Sequence, residues 1–230
     1  MSFKKNGYAI IKQAVNEETA NVLYNYFLVK KQVYDTMRQK KYMSVYEQGF
    51  GFYEKEWQQV PEAFCVYGDQ MFDTIMLKCQ PIMEKTTGLK LQPSYSFGRI
   101  YKKNQELKRH KDRINCEIST TMNLGGDNWT IYLDPTGEDN LINGTTQLDP
   151  ENKRVKKGAP KGIGFDLKPG DMLVYRGCDF EHWRKKFKGD QCVQLFLHYN
   201  NTKTPETKKL LYDTRPHIGL PGWFKNEVNN

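Results

Sequence analysis

No stretch of this sequence approaches the roughly 18 consecutive apolar residues that would mark a membrane span. The apolar run nearest the N-terminus, Tyr8 to Ile11, is too short for the core of a secretory leader. Cysteine is sparse and unpatterned: the five residues at 65, 79, 116, 178 and 192 contain no C-x-x-C pair. An odd, scattered set argues against a disulfide framework and a structural zinc, and fits free thiols in a reducing compartment. The expectation is a soluble, cytoplasmic protein with no membrane partner. Histidine is scarcer still, at four residues, His110, His182, His198 and His217. That scarcity makes their positions informative.

Charge of one sign is not lacking, since the net charge is +8. The lysines, however, fall in short clusters such as Lys30-Lys31, Lys40-Lys41, Lys102-Lys103 and Lys156-Lys157, with acids between them. Such scatter reads as a solvated face, so a nucleic-acid partner is not expected, while an acidic partner or an anionic small molecule is favoured. With 14 Tyr and 12 Phe in 230 residues the chain has ample means to bury a core. One domain is expected: an N-terminal strand and helical support over 1–91, a β-rich core over 92–200 and an extension over 201–230.

Periodicity supports this division. Gly7 to Val15 is rich in β-formers, and Asn16 offers an N-cap to a helix in which Ala20, Leu23, Tyr24, Phe27 and Leu28 recur at helical spacing. Residues 42–62 show no period and read as an irregular connector with aromatic anchors. From Tyr67 to Thr87 a second helix carries Met71, Phe72, Ile75, Met76, Cys79, Ile82 and Met83 on its apolar stripe, with Pro81 expected to kink or restart it and Gly88 to cap it. From Gln92 onward the period becomes two. About eight short strands, separated by turn signals such as Asn104-Gln105, Gly125-Gly126 and Lys168-Pro169-Gly170-Asp171, run to Asn200. That count fits an eight-stranded double-sheet jelly roll, cupin-like, with the helices covering its larger sheet. Residues 138–161 read as a loop, and the tail after Asn200 as a wrapping extension.

The chemistry centres on His110-Lys111-Asp112. In a strand, residues two apart share a face, so His-x-Asp presents an imidazole and a carboxylate side by side. A second imidazole from a distant strand, His182, would complete the two-histidine, one-carboxylate set that leaves cis positions open on Fe(II) for a chelating cosubstrate and dioxygen.

The order Tyr101, turn, His110-x-Asp112, Lys168-Pro169-Gly170-Asp171, His182 and a last apolar strand resembles the Fe(II)- and 2-oxoglutarate-dependent dioxygenases, most closely their prolyl-4-hydroxylase-like branch. The resemblance covers 92–200 well. It implies a double-stranded β-helix and an enzyme that couples decarboxylation of 2-oxoglutarate to succinate with hydroxylation of a C–H bond. It also implies Fe(II) as cofactor, 2-oxoglutarate as cosubstrate and ascorbate as a support. The substrate would be a prolyl residue in a peptide or protein, or a small molecule. By the same resemblance His110, Asp112 and His182 are the iron ligands, and Tyr101 hydrogen-bonds the cosubstrate.

The sequence departs from that pattern about ten residues beyond the second histidine. There the branch carries a cation for the far carboxylate of 2-oxoglutarate, but this chain has Cys192, flanked by Gln191 and Gln194. A buried carboxylate without a cation is costly. Arg184, two residues after His182, is the best substitute, its alternative being an ion pair with Asp190 or Glu181 at the rim. Gln194 and Thr121 would add neutral hydrogen bonds, and Arg113 would orient Asp112 or bind substrate. Substrate choice would rest on the loops 42–62 and 138–161. Two other classes stay open: a jelly-roll metalloprotein that does not use 2-oxoglutarate, and a non-catalytic binding or structural module. A nucleic-acid demethylase is a variant supported by the basic charge alone.

Overall fold

The computed structural model describes residues 2–44, 47, 49–142 and 155–224. After a single helical turn, α1 (Phe3–Asn6), and strand β1 (Tyr8–Ile11), the long helix α2 (Glu17–Gln39) begins where Asn16 caps it, its side chain accepting the Thr19 amide at 2.8 Å. Two short strands, β2 (Phe52–Tyr53) and β3 (Phe64–Tyr67), precede helix α3 (Gln70–Thr87). Asp69 caps α3, and Gly88 ends it at a φ of 73°, where a residue with a Cβ would be strained. Pro81 does not restart the helix, as α3 is continuous through it. Pro81 and Leu77 both lie on the exposed side, so the carbonyl that loses its helical partner can turn to water.

Eight strands follow, as the turn spacing predicts: β4 (Leu91–Lys102), β5 (Leu107–His110), β6 (Ile118–Gly126), β7 (Ile131–Asp134), β8 (Ile163–Phe165), β9 (Met172–Arg176), β10 (Glu181–Arg184) and β11 (Gln191–Asn201). They form two sheets of antiparallel pairs. The larger has the order β1-β9-β6-β11-β4-β3-β2 and the smaller β5-β10-β7-β8. This is a double-stranded β-helix of the jelly-roll type. Of the loop expected over 138–161, residues 143–154 lie outside the described residues, as do 45, 46 and 48 of the connector 42–62.

Alternation along the strands decides which residues meet the helices and which face inward. On β11, Val193, Leu195, Leu197 and Tyr199 join α2 and α3 residues such as Leu23, Phe27, Phe72 and Met76 in the main core. The alternate residues Phe196 and His198 line a cavity between the sheets. On β6 the core residues are Ile118, Met122 and Leu124, leaving Ser119 and Thr121 for the inner face. Gly98 of β4 is required by this packing, because a Cβ there would lie 2.6 Å from the Phe72 ring and 2.9 Å from that of Phe27. In the segment after β11, Arg215 is buried and donates to Asp73 Oδ2 at 3.2 Å and to the Ser94 carbonyl at 3.1 Å.

Gly98→Ala should therefore destabilise the fold by about 1–3 kcal/mol through overpacking of the helix–sheet interface. Urea unfolding would measure it, and a wild-type midpoint would show that the helices do not press on β4 as described.

Candidate metal centre and polar interior

The four-stranded sheet brings the two distant histidines together. His182 of β10 is the direct antiparallel partner of His110 at the end of β5, and their rings lie 4.2 Å apart between centroids. Asp112 is not on the strand, as the His-x-Asp spacing suggested. It sits just past the end of β5, where its backbone N–H donates to the Gly177 carbonyl at 2.9 Å. Its Oδ1 is 3.7 Å from His110 Nε2 and 3.6 Å from His182 Nε2. Both histidines are almost fully buried.

The donor chemistry fits a divalent metal. Nδ1 of His110 lies 2.7 Å from the Lys108 carbonyl and Nδ1 of His182 lies 3.1 Å from that of Phe180. A carbonyl can only accept, so both Nδ1 atoms carry the proton, a tautomer inferred from these partners, and both Nε2 lone pairs point to the shared centre. One ligand atom from each of His110, Asp112 and His182 lies within 4.8 Å of the other two, close enough for the three to share one ion. The Gln59 amide now meets His110 Nε2 at 2.8 Å and would have to turn aside for a metal.

Burial opposes the charge on Asp112, but in the metal-free site the positive charge of His182, His110 and His198 in their protonated forms outweighs it and holds the carboxyl well below its usual range. Ser119 Oγ donates to Asp112 Oδ2 at 2.6 Å and lies 3.1 Å from His198 Nδ1. Ser119 thus makes the contact to Asp112 that sequence analysis assigned to Arg113. Arg113 instead donates to Asp213 of the C-terminal segment at 2.8 Å and lies over the Tyr95 ring.

The other predicted polar residues converge deeper between the sheets. Arg184 Nη2 donates to Thr121 Oγ1 at 3.1 Å and to Gln194 Oε1 at 3.0 Å, and Nη1 donates to the Trp129 carbonyl. It pairs with neither Asp190 nor Glu181. Its Nε has no hydrogen-bond partner, and no carboxylate lies in salt-bridge reach of it among the described residues. Burial pushes its pKa down. Tyr101 is fully buried, and its hydroxyl accepts from Arg99 Nη1 at 3.2 Å.

Sequence reasoning missed Arg99, Gln59 and the roles of Ser119 and His198. Arg99 was detectable in principle, because Phe97, Arg99 and Tyr101 alternate on one face of β4. It lines the cavity, yet its guanidinium is already engaged by Glu54 at 2.5 Å and Gln59 at 3.0 Å. The cavity, of about 200 Å³, includes His110, Asp112 and His182 in its wall together with Phe52, Trp57, Tyr95, Phe97, Tyr175 and Phe196.

Burial pushes the His198 pKa down to about 4. Protons therefore bind the unfolded chain first, and stability present above about pH 6.5 is lost as pH falls toward 4. A shift of this size corresponds to roughly 3 kcal/mol at most. Chemical unfolding of the metal-free protein across that range should show the loss, and His198→Gln should flatten it; equal slopes would remove His198 as the cause.

No protein-family model matches the sequence, and no curated protein does either. Solved structures do match the fold. A prolyl-4-hydroxylase from Pseudomonas putida shares 11% identity at a TM-score of 0.54, covering 86% of this chain and 95% of its own. HygX from Streptomyces hygroscopicus, solved with nickel, 2-oxoglutarate and hygromycin B bound, shares 13% at a TM-score of 0.55, with coverage of 87% and 85%. The non-heme α-ketoglutarate-dependent carbocyclase SnoK from nogalamycin biosynthesis shares 10% at a TM-score of 0.57, with coverage of 95% and 92%. The chain thus has the double-stranded β-helix seen in these Fe(II)/2-oxoglutarate oxygenases. No helix among the described residues is long and apolar enough to cross a membrane.

Proposed function

We propose that this protein is an Fe(II)- and 2-oxoglutarate-dependent oxygenase, with His110, Asp112 and His182 as metal ligands and Arg184 as anchor for the far carboxylate of the cosubstrate. The observation that carries the second half is Arg184 itself. A guanidinium buried without a carboxylate is a costly arrangement, and it becomes favourable when a dianionic ligand supplies the missing partner. Arg184 lies two residues beyond His182 on the same face of β10. That separation, about 6.6 Å along a strand, is one that a five-carbon diacid can bridge from a metal at His182. Thr121 and Gln194 hold the guanidinium from β6 and β11, with Tyr101 buried nearby on β4.

When bound, Fe(II) with 2-oxoglutarate and dioxygen would supply the oxidising power for C–H hydroxylation. This chain's residues do the rest. The two Nδ1–H···O=C bonds keep both imidazoles in the ligating tautomer, Ser119 holds Asp112 Oδ2 so that Oδ1 faces the histidines, and the burial of the site excludes water. Among the described residues the cavity offers no cation that lacks an acidic partner: Arg99 is paired with Glu54.

For the substrate, we favour an uncharged group, a prolyl residue in a peptide being the specific proposal. The support is the wall of Phe52, Tyr95, Phe97 and Phe196, with Trp57 at its edge 56% exposed. Aromatic surfaces of this kind receive proline rings and extended proline-rich segments. HygX was solved with hygromycin B bound and SnoK comes from nogalamycin biosynthesis, so small molecules belong in the same screen. Trp57→Ala should raise the KM of a prolyl peptide substrate at least tenfold; an unchanged KM would place the peptide elsewhere.

Purified protein with Fe(II), ascorbate and 2-oxoglutarate, in the presence of candidate peptides, should form succinate, and Asp112→Ala should abolish it. Arg184→Met should raise the KM for 2-oxoglutarate at least 100-fold while metal affinity is retained. Wild-type-like KM in that variant would overturn the assignment of the anchor.

A further inference from the structure

The two histidines lie on the inner face of the four-stranded sheet, so the residue before each must lie on its outer face. Those residues are Arg109 and Glu181, and they are joined: Arg109 Nε donates to Glu181 Oε2 at 2.6 Å. Arg109 Nη2 donates to Asp134, the direct pairing partner of Glu181 on β7. The side chain lies over Trp183, with its guanidinium carbon 4.3 Å from the ring centroid. One arginine therefore ties β5, β10 and β7 together directly behind the metal ligands. All three charged side chains are buried, with exposures of 7% for Arg109, 1% for Asp134 and 0% for Glu181.

The same group gathers the chain between β7 and β8. Arg109 Nη1 donates to the Pro160 carbonyl at 2.7 Å, and Glu181 Oε1 accepts the Asn140 amide at 2.7 Å. Asn140 Nδ2 also reaches Asp134 Oδ2 at 3.3 Å. Asn140 and Pro160, both between β7 and β8, are thus fastened to the two strands that present the histidines.

We propose that Arg109 is a positioning residue for the metal centre: by bridging Glu181 and Asp134 on the outer face it fixes the strand register that sets the His110–His182 separation on the inner face. The pairing of β10 with β5 needs such a constraint, because it holds only two register pairs, His182 with His110 and Arg184 with Leu107, with an irregularity between them. Among the described residues β5 is an edge strand of the sheet, with no strand paired on its far side. Lysine cannot replace this arginine, since a single ammonium lacks the planar fork that meets two carboxylates and a carbonyl at once.

The inference rests on the ligand assignment above, and the test separates the two. Co2+ affinity and the visible spectrum of the Co2+ protein would be measured for wild type, His182→Ala, Arg109→Lys, Glu181→Gln and Arg215→Lys. Arg215 is a buried, ion-paired arginine beneath the C-terminal segment and reports the effect of general destabilisation. Co2+ binding by wild type that is lost in His182→Ala establishes the centre. Arg109→Lys, and Glu181→Gln should the first fold poorly, should then weaken Co2+ binding at least tenfold and alter its ligand-field bands at a temperature where they remain folded, while Arg215→Lys binds as wild type does. Wild-type affinity and spectrum in folded Arg109→Lys and Glu181→Gln would overturn the positioning role and leave the ligand assignment intact. An equal loss in Arg215→Lys would also overturn it, by showing that only overall stability is being read. Failure of wild type to bind Co2+ would instead overturn the ligand assignment and the inference with it.

Discussion

Because side chains alternate across a strand, the pairing of His182 with His110 decides what faces the interior and what faces away from it. A slip of β10 by one residue against β5 would carry His182 out of the cavity and bring a neighbour, Glu181 or Trp183, in its place. The rest of the site follows from that register. Asp112 can reach both Nε2 atoms because β5 ends at His110 and the chain turns, with Gly177 and Ser119 fixing the turn. Arg184 points inward because it is two residues beyond His182, and it meets Thr121 and Gln194 because the inner faces of β6 and β11 lie opposite.

The interior is ordered by polarity as well as by position. The wall that opens to solvent is aromatic and holds one neutralised ion pair, Arg99 with Glu54. Next comes the set of two imidazoles and a carboxylate. Deepest is the Arg184 guanidinium, which donates to the Trp129 carbonyl, Thr121 and Gln194 and lies over the Trp129 ring. An arrangement in which a cation lies beyond a metal-ligand set, along the same strand face, suits a ligand with a chelating end and an anionic end. In the branch this sequence resembles, the cation stands on the last strand; here that place belongs to Cys192, which is fully buried. The buried guanidinium nearest that place is Arg184 on β10, which donates to Gln194 on β11.

Much of this was legible in the sequence because period-two alternation and turn residues are local signals. The eight strands, the Asn16 cap, the Gly88 terminus and the inward set of His110, His182 and Arg184 all follow from spacing of at most a few residues. What could not be read were contacts made across the sheet or between distant segments. Ser119 approaches Asp112 only because the chain turns after His110, and Arg99 finds Glu54 only because the irregular segment before β3 folds over β4. Pro81 misled because the cost of a proline in a helix depends on whether the orphaned carbonyl faces water, which is a matter of tertiary placement. The partner of Arg113 was equally hidden, because adjacency in sequence to Asp112 says little at a turn, where its side chain leaves for Asp213.

The most direct test of the account is an anaerobic titration of the Fe(II)-loaded protein with 2-oxoglutarate, followed through the metal-to-ligand charge-transfer absorption that appears when a keto acid chelates Fe(II). The account predicts a saturable band in wild type that is absent in His182→Ala and is reached only at far higher 2-oxoglutarate in Arg184→Met. An Fe(II)-loaded wild type that gives no band at any concentration of the keto acid would contradict it.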